Sequence, residues 1–267
     1  MLTDERTEKV AARVRELAAE YEPPGFDHVP DADAALFLCA VDHHSGYRGR
    51  YLVGGRGPFE GSALIWAVGL RAAERERRLL SARRLREVTP EEVDEAFRIG
   101  GESIADPQRR AQLWRDLARG IEDEHGGSAS ELLLACGGRL GGSEGLLGLL
   151  ARFEAYSDPL AKKSFLFAKI CERRGWLEVS DPEHWQVCAD NVLMRIALRC
   201  GLVEPGERED VRAATREAFR RVGSEAGVPL PQLDDLLWEL GRDDPDLLGR
   251  EAGDLREPDR DPAVAWY

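Results

Sequence analysis

Helix-start signals recur along this chain and constrain its fold more than any other feature. A threonine or aspartate stands directly before a proline at Thr89-Pro90, Asp106-Pro107, Asp158-Pro159 and Asp181-Pro182. Each pair supplies an N-cap side chain and a proline at the first helical turn, where its missing N–H costs nothing. Apolar residues also recur at helical spacing along the chain, as they do at Val10, Val14 and Leu17 near the N-terminus. The sequence therefore predicts an all-α fold of about twelve helices joined by short turns.

Glycines divide the helical pattern into segments. We predict helices over 62–73, 75–87 and 143–153, and the only plausible pair of short strands in the glycine-rich stretch 46–62. The glycines near residue 140 favour a boundary between two helical lobes, residues 1–140 and 141–267, packed as a single compact unit.

The charge balance bears on the partner. The chain has 37 Lys and Arg against 50 Asp and Glu, a formal net charge of -13. Proteins that bind duplex nucleic acid usually carry a basic face, so this balance favours a small substrate. No apolar run approaches the roughly 20 residues of a membrane helix, and the N-terminus does not resemble a signal peptide. We expect a cytoplasmic protein without a membrane partner; its oligomeric state stays open.

Metal and cofactor signals are weak. The five cysteines are scattered without a C-x-x-C pair, and the five histidines form no H-x-x-x-H pair, so we expect no metal and no cofactor. Asp42-His43-His44 matches a triplet of metal-dependent phosphoesterases, where it follows a strand. Here it follows ADAALFLCAV, which is typical of a helix. A polar helix end is favoured, and His43 is a candidate pocket residue.

Lysine is rare in this chain and unevenly placed. Of the basic residues only Lys9, Lys162, Lys163 and Lys169 are lysines, and three of these lie in one short stretch. Lysine differs from arginine because it can lose its proton and act as an amine. Two interpretations stay open: chance at a solvated helix start, or a site that needs an amine.

Three segments could carry chemistry together. They are the lysine stretch, Asp190 at the start of a later helix, and Asp234 with Trp238 near the C-terminus. Each has a structural alternative, since Asp190 could be a plain helix cap and Trp238 a core aromatic. Phe167 fits inward packing better than stacking on a ligand.

From about residue 87 to 203 the chain resembles the queuosine salvage proteins, which are queuosine nucleoside glycosylases. The matching stretches are TPEEVDEAFR, the arginine-containing helix at 109–121, GGSASELLLACGG, ARFEAYSDP, KKSFLFAKI and GWLEVSDPEHWQVCADNVLMRIALRCGLV. Gly175-Trp176 precedes Ala189-Asp190 at the family's usual distance, and the lysine that opens the family's helix maps to Lys163. The segment between the two is shorter here, and Asn191 replaces the family's usual tyrosine.

The C-terminal third is similar to the archaeal 8-oxoguanine DNA glycosylases. GVPLPQLDDLLWELGR matches a segment in which Asp234 and Trp238 correspond to pocket residues, and Lys163 and Asp190 again match the catalytic pair. Both resemblances imply the helix-hairpin-helix glycosylase architecture, a two-lobed helical bundle, with Lys163 and Asp190 in the C-terminal lobe.

The chemistry that both resemblances imply is cleavage of a base–sugar N-glycosidic bond. Asp190 would stabilise the sugar cation or position water, and Lys163 would stabilise the departing base or, in a lyase, attack the sugar. The expected substrate-binding residues are Lys162, Lys169, Asp234, Trp238, His43 and Phe167.

Three functions stay open at this stage. The first is an N-glycosidase for a 7-deazaguanine-type nucleoside or nucleotide, as in queuosine salvage. The second is an 8-oxoguanine DNA glycosylase with lyase activity, whose partner would be damaged DNA. The third is a helical scaffold without enzymatic activity, which would leave the lysines unexplained.

Overall fold

The structure is a computed structural model that describes residues 4–76, 78–261 and 264–266. In that part of the chain the strands are β1 (Tyr51–Val53) and β2 (Arg56–Phe59). The helices are α1 (Asp4–Ala19), α2 (Ala32–Val41), α3 (Gly61–Arg75), α4 (Ala82–Leu85), α5 (Pro90–Ala96), α6 (Pro107–Glu124), α7 (Ala129–Cys136), α8 (Leu146–Leu150), α9 (Lys162–Arg173), α10 (Asn191–Arg199), α11 (Arg208–Ala226) and α12 (Leu230–Asp243). Two short 3-10 turns, Glu154–Tyr156 and Pro182–His184, complete the described elements. The all-α class is confirmed.

The predicted strand pair is also confirmed. The strands β1 and β2 pair antiparallel within 46–62, with Tyr51 opposite Phe59 and Val53 opposite Arg56.

The structure contradicts the predicted lengths of two helices. The segment 75–87 forms only α4, because Arg78 has a φ of 76°, outside the right-handed helical region. The segment 143–153 forms only α8, whose N-cap residue Gly145 is extended.

The chain divides into two compact units. A terminal unit comprises Met1–Gly25 and Glu183–Val264, and a central unit comprises Phe26–Pro182 and Ala265–Tyr267. This division runs differently from the predicted boundary between residues 140 and 141. The physical reason is the apolar face of α1, which packs on α11 and so joins the N-terminal helix to the later helices in one core.

The core of the terminal unit lies among α1, α10, α11 and α12. Val10 and Val14 of α1 are buried together with Leu193, Phe219 and Leu236 from the three later helices. Each of these helices has one apolar stripe, and the four stripes pack against each other to form this core.

The central unit is built around α2. Nine of the ten residues of α2 are buried, which is the pattern of a helix surrounded on all sides. It begins at Asp31, whose side chain accepts a hydrogen bond from the Ala34 amide, and it packs against α3, α6, α7 and α9. Trp114 Nε1 of α6 donates to the Phe37 carbonyl at 2.6 Å, and the Tyr156 hydroxyl donates to the Leu36 carbonyl at 2.6 Å. These bonds join the middle of α2 to α6 and to the 3-10 turn Glu154–Tyr156.

Searching the described ranges finds no helix with the length and apolar character that crossing a bilayer requires.

Candidate functional site

The lysine stretch opens α9, but the helix begins at Lys162, three residues after the predicted start at Asp158-Pro159. Asp158 arranges this helix start, because its carboxylate accepts hydrogen bonds from the amides of Leu160 and Lys162, both at 3.0 Å. The chain then turns through Ala161, which has a φ of 51°, and α9 begins at Lys162. Lys162 is half-buried and Lys163 points into the central unit.

The Lys163 amine lies inside the protein. The residue is 1% exposed, and its Nζ donates to the Ala40 carbonyl at 2.6 Å and lies 3.2 Å from His43 Nδ1. Ala40 is in the last turn of α2, where carbonyl groups lack a partner within the helix. Lys163 therefore caps the C-terminal end of α2 from a different helix.

The electrostatic surroundings of this amine disfavour its charged form. Burial lowers the pKa of Lys163 well below its usual range, and the neighbouring charges of Lys162 and Arg110 lower it further, against the opposing effect of Asp42. No ion pair involving Lys163 exists among the residues that the structure describes. A lysine in this environment gives up its proton far more readily than an exposed one.

His43 is the side chain in contact with the amine. It is 8% exposed, and burial, followed by the charges of Lys163 and Arg110, lowers its pKa well below the usual range. The imidazole is therefore neutral at neutral pH, and its tautomer decides whether Nδ1 donates to Lys163 or accepts from it.

Two further side chains hold the segment that follows α2. Asp42 Oδ2 accepts hydrogen bonds from Ser62 Oγ at 2.9 Å and from Trp66 Nε1 at 3.2 Å, both on α3. Arg110 Nη2 of α6 donates to the carbonyls of His43 and His44 at 2.8 and 3.0 Å. We call Asp42, His43, Arg110 and Lys163 the α2-end cluster. Its four side chains are all at least nine-tenths buried.

The second predicted catalytic residue, Asp190, is the N-cap of α10. Its Oδ1 accepts hydrogen bonds from the amides of Val192 at 2.9 Å and Leu193 at 3.1 Å. The predicted helix start at this aspartate is confirmed. Asp190 belongs to the terminal unit and is half-buried, whereas Lys163 belongs to the central unit. The catalytic role of the carboxylate stays a prediction.

Asp234 lies beside the segment that leads to Asp190. It is 4% exposed, and its Oδ1 accepts a hydrogen bond from the Cys188 amide at 2.6 Å. Arg212 Nε of α11 donates to the next carbonyl, that of Ala189, at 3.3 Å. Two buried side chains thus position the backbone directly before Asp190. In this structure the Asp234 carboxylate contacts the protein's own backbone.

The remaining predicted binding residues are placed as follows. Trp238 is partly buried against the core of the terminal unit, with the Arg242 guanidinium 5.2 Å from its ring centre. Phe167 is fully buried in the central unit, and Lys169 is 4% exposed. The structure therefore brings together Lys163 with His43 in one unit and Asp234 with the Asp190 segment in the other.

Two buried arginines were not found from the sequence. Arg110 shares the apolar stripe of α6 with Leu113, Trp114 and Leu117, and Arg212 occupies a core-facing position on α11. The sequence of both helices contains a signal that could have identified these arginines. A charged residue that lies in an apolar stripe at helical spacing is expected to be buried.

Two cavities in the described part of the chain lie away from the predicted site residues. One of about 390 Å³ in the central unit is lined by residues that include Arg115, Arg119 and Arg152. Another of about 420 Å³ in the terminal unit lies at the loop after α10. Neither is lined by a predicted site residue. The described part of the chain also holds no group of His, Cys, Asp and Glu suited to a metal ion.

No known protein family matches the sequence, and no curated protein matches it significantly. The resemblance to the two glycosylase families therefore rests on the quoted residues and stays a prediction.

Proposed function

We propose that this protein cleaves the N-glycosidic bond of a modified purine nucleoside or nucleotide, with Lys163 as its amine. The observation that supports this function is the state of Lys163, a fully buried lysine whose pKa is lowered well below the usual range. Burying such a group costs stability, and strongly perturbed pKa values cluster at functional sites.

The lowered pKa suits the chemistry of a departing base. Negative charge develops on the base as the bond to the sugar breaks, and an ammonium that releases its proton readily is an effective acid for that base. A substrate group would have to displace the contacts of the amine with the Ala40 carbonyl and His43 Nδ1 to reach it. The resemblance assigns Asp190 as the carboxylate that supports the sugar cation.

A second candidate is a glycosylase with lyase activity on oxidised guanine in DNA. The specific observation in its favour is the same lowered pKa, because an uncharged amine can attack the sugar carbon and form a Schiff base. The net charge of -13 favours the first candidate.

One experiment tests both functions. The protein is incubated separately with queuosine monophosphate and with a duplex containing 8-oxoguanine, each with and without borohydride. We expect free base from the nucleotide and no trapped adduct; a trapped adduct that disappears in Lys163→Gln favours the lyase. Lys9→Gln is the matched control, since Lys9 is an exposed lysine in an ion pair with Glu251.

The variants decide the assignment of residues. Base release is lost in Lys163→Gln and in Asp190→Asn if both roles are right. The proposal is overturned if base release survives both substitutions. It is also overturned if the wild-type protein releases base from neither the nucleotide nor the duplex.

A further inference from the structure

One cavity of the central unit has a basic lining. Its volume is about 390 Å³, which is within the range of small-molecule sites. The guanidinium groups of Arg115 and Arg119 on α6 and of Arg152 after α8 line it, as do the carboxylates of Asp116 and Glu124. The charged side chains of the lining therefore leave an excess of positive charge, in a chain whose formal net charge is -13.

Both carboxylates of this lining already have partners. Glu124 lies 3.3 Å from Arg152 Nη1, and Glu144, which does not line the cavity, lies 3.5 Å from Arg152 Nη2. Asp116 Oδ2 accepts a hydrogen bond from the Glu154 amide at 2.8 Å. The charge of Arg152 is therefore balanced by its neighbours, and Asp116 holds the chain just after Arg152 against α6.

The two arginines of α6 are not balanced in this way. They are four residues apart, so they lie side by side on one face of the helix, about 5–6 Å apart at Cβ, and repel each other. Arg115 Nη1 donates to the Val88 carbonyl at 2.7 Å, which anchors this guanidinium. Within the described ranges, Arg115 makes no other hydrogen bond, Arg119 makes none, and neither forms an ion pair. Their remaining N–H groups are therefore available to a ligand.

A close contact between Gly120 and Phe153 brings the two walls of the cavity together. Gly120 lies inside α6, and a Cβ at this position would meet Phe153 Cε1 at 2.2 Å. Glycine weakens the interior of a helix, but here it lets the Phe153 ring lie directly against the helix backbone, where the residue is 4% exposed. This contact and the bond from Asp116 fix the segment that carries Arg152 beside α6, so the three arginines line one space.

We propose that this cavity binds the phosphate group of a small phosphate monoester through Arg115 and Arg119, with Arg152 as the third cation. Two neighbouring guanidinium groups can donate paired N–H groups to the oxygens of one phosphate, a geometry that arginine provides. The ligand is small because the net charge of -13 opposes a long polyanion such as nucleic acid. No residue of the α2-end cluster lines the cavity, so the inference does not rest on the proposed function.

Titration with phosphate compounds tests the inference. Inorganic phosphate, ribose 5-phosphate and ribose are added separately to ¹⁵N-labelled protein, and the amide signals of Gly120 and Phe153 are followed by NMR. We expect saturable shifts with both phosphate compounds and none with ribose. Arg119→Gln weakens both affinities by about tenfold, because a charge-assisted hydrogen bond is lost. Arg71→Gln is the matched control, since Arg71 is an exposed arginine of α3 that pairs with Glu74 and does not line the cavity.

A second variant separates the shape of the guanidinium from its charge. Arg119→Lys keeps the positive charge but loses the paired donors, so we expect an affinity between those of the wild type and Arg119→Gln. Both variants should fold, because Arg119 is exposed and makes no hydrogen bond or ion pair within the described ranges. The inference is overturned if ribose 5-phosphate gives no saturable shift at these two amides. It is also overturned if Arg119→Gln binds as tightly as the wild type, or if Arg71→Gln weakens binding equally.

Discussion

Asp190 is both a helix cap and a proposed catalytic carboxylate, and substitutions can separate the two roles. Its Oδ1 binds the amides of Val192 and Leu193 at 2.9 and 3.1 Å. Asparagine keeps an oxygen in that position, whereas alanine removes it. We therefore expect Asp190→Asn to fold nearly as well as the wild type while losing base release, and Asp190→Ala to lose both stability and activity.

The size of the effect follows from these contacts. Removing an N-cap side chain costs about 1 kcal/mol, and losing the negative charge at a helix N-terminus costs about 0.3–1 kcal/mol. Asp190→Ala loses both the cap and the charge, so its free energy of unfolding falls by about 1.5 kcal/mol. Asp190→Asn keeps the cap and loses only the charge contribution of about 0.3–1 kcal/mol. Urea denaturation followed by circular dichroism at 222 nm measures both values.

Glu207 provides a matched control. It is the N-cap residue of α11, it is exposed, and its side chain makes no cap hydrogen bond, so Glu207→Ala loses only the charge contribution of about 0.3–1 kcal/mol. If Asp190→Ala and Asp190→Asn lose equal stability, the capping argument is wrong. If Asp190→Asn retains full base release, the carboxylate has no catalytic role.

Two further predictions concern the central unit. We expect Lys163→Gln to flatten the pH dependence of stability. Burial holds the pKa of Lys163 in the folded protein below its ordinary value of about 10.4. Between these two pKa values the unfolded chain binds more protons than the folded protein, so the free energy of unfolding rises with pH. Urea denaturation at several alkaline pH values shows this rise in the wild type and less of it in the variant. Gly46→Ala loses more stability than Gly54→Ala, by about 1–3 kcal/mol. Both glycines have positive φ, but a Cβ at Gly46 would meet the Ala105 Cβ at 2.5 Å and its amide nitrogen at 2.9 Å, whereas a Cβ at Gly54 meets nothing within 4 Å.

Each of these results has a contrary outcome. An equal pH slope in the wild type and Lys163→Gln means that the amine keeps an ordinary pKa in the folded protein. Equal losses in the two glycine variants mean that the strain of a positive φ, and not the approach of Ala105, limits residue 46.

Local contacts made the helix starts predictable from the sequence. The caps at Thr89, Asp106 and Asp190 join atoms only two or three residues apart, so the residue types alone indicate them. The hairpin near residue 54 is predictable for the same reason. The lengths of α4 and α8 were not, because Arg78 and Gly145 leave the helical conformation where apolar periodicity would continue it.

The candidate site was only partly predictable. The sequence pointed to Lys163 through the scarcity of lysine and the resemblance, and to His43 through its polar triplet. It did not point to Arg110, although a charge in an apolar stripe was visible in α6. Helical spacing shows that such a residue is buried, but it does not show which carbonyls satisfy its guanidinium.

Helix content, the capped helix starts at Thr89, Asp106 and Asp190, and the placement of lysine at the opening of α9 were thus determined by the sequence itself, because they depend on neighbours within one turn. The chemical state of Lys163 was decided by the tertiary structure. Its hydrogen-bond acceptor, Ala40, lies 123 residues away along the chain, and Arg110 comes from a third helix. An amine loses its proton through what surrounds it in space, and only packing of α2, α6 and α9 creates those surroundings.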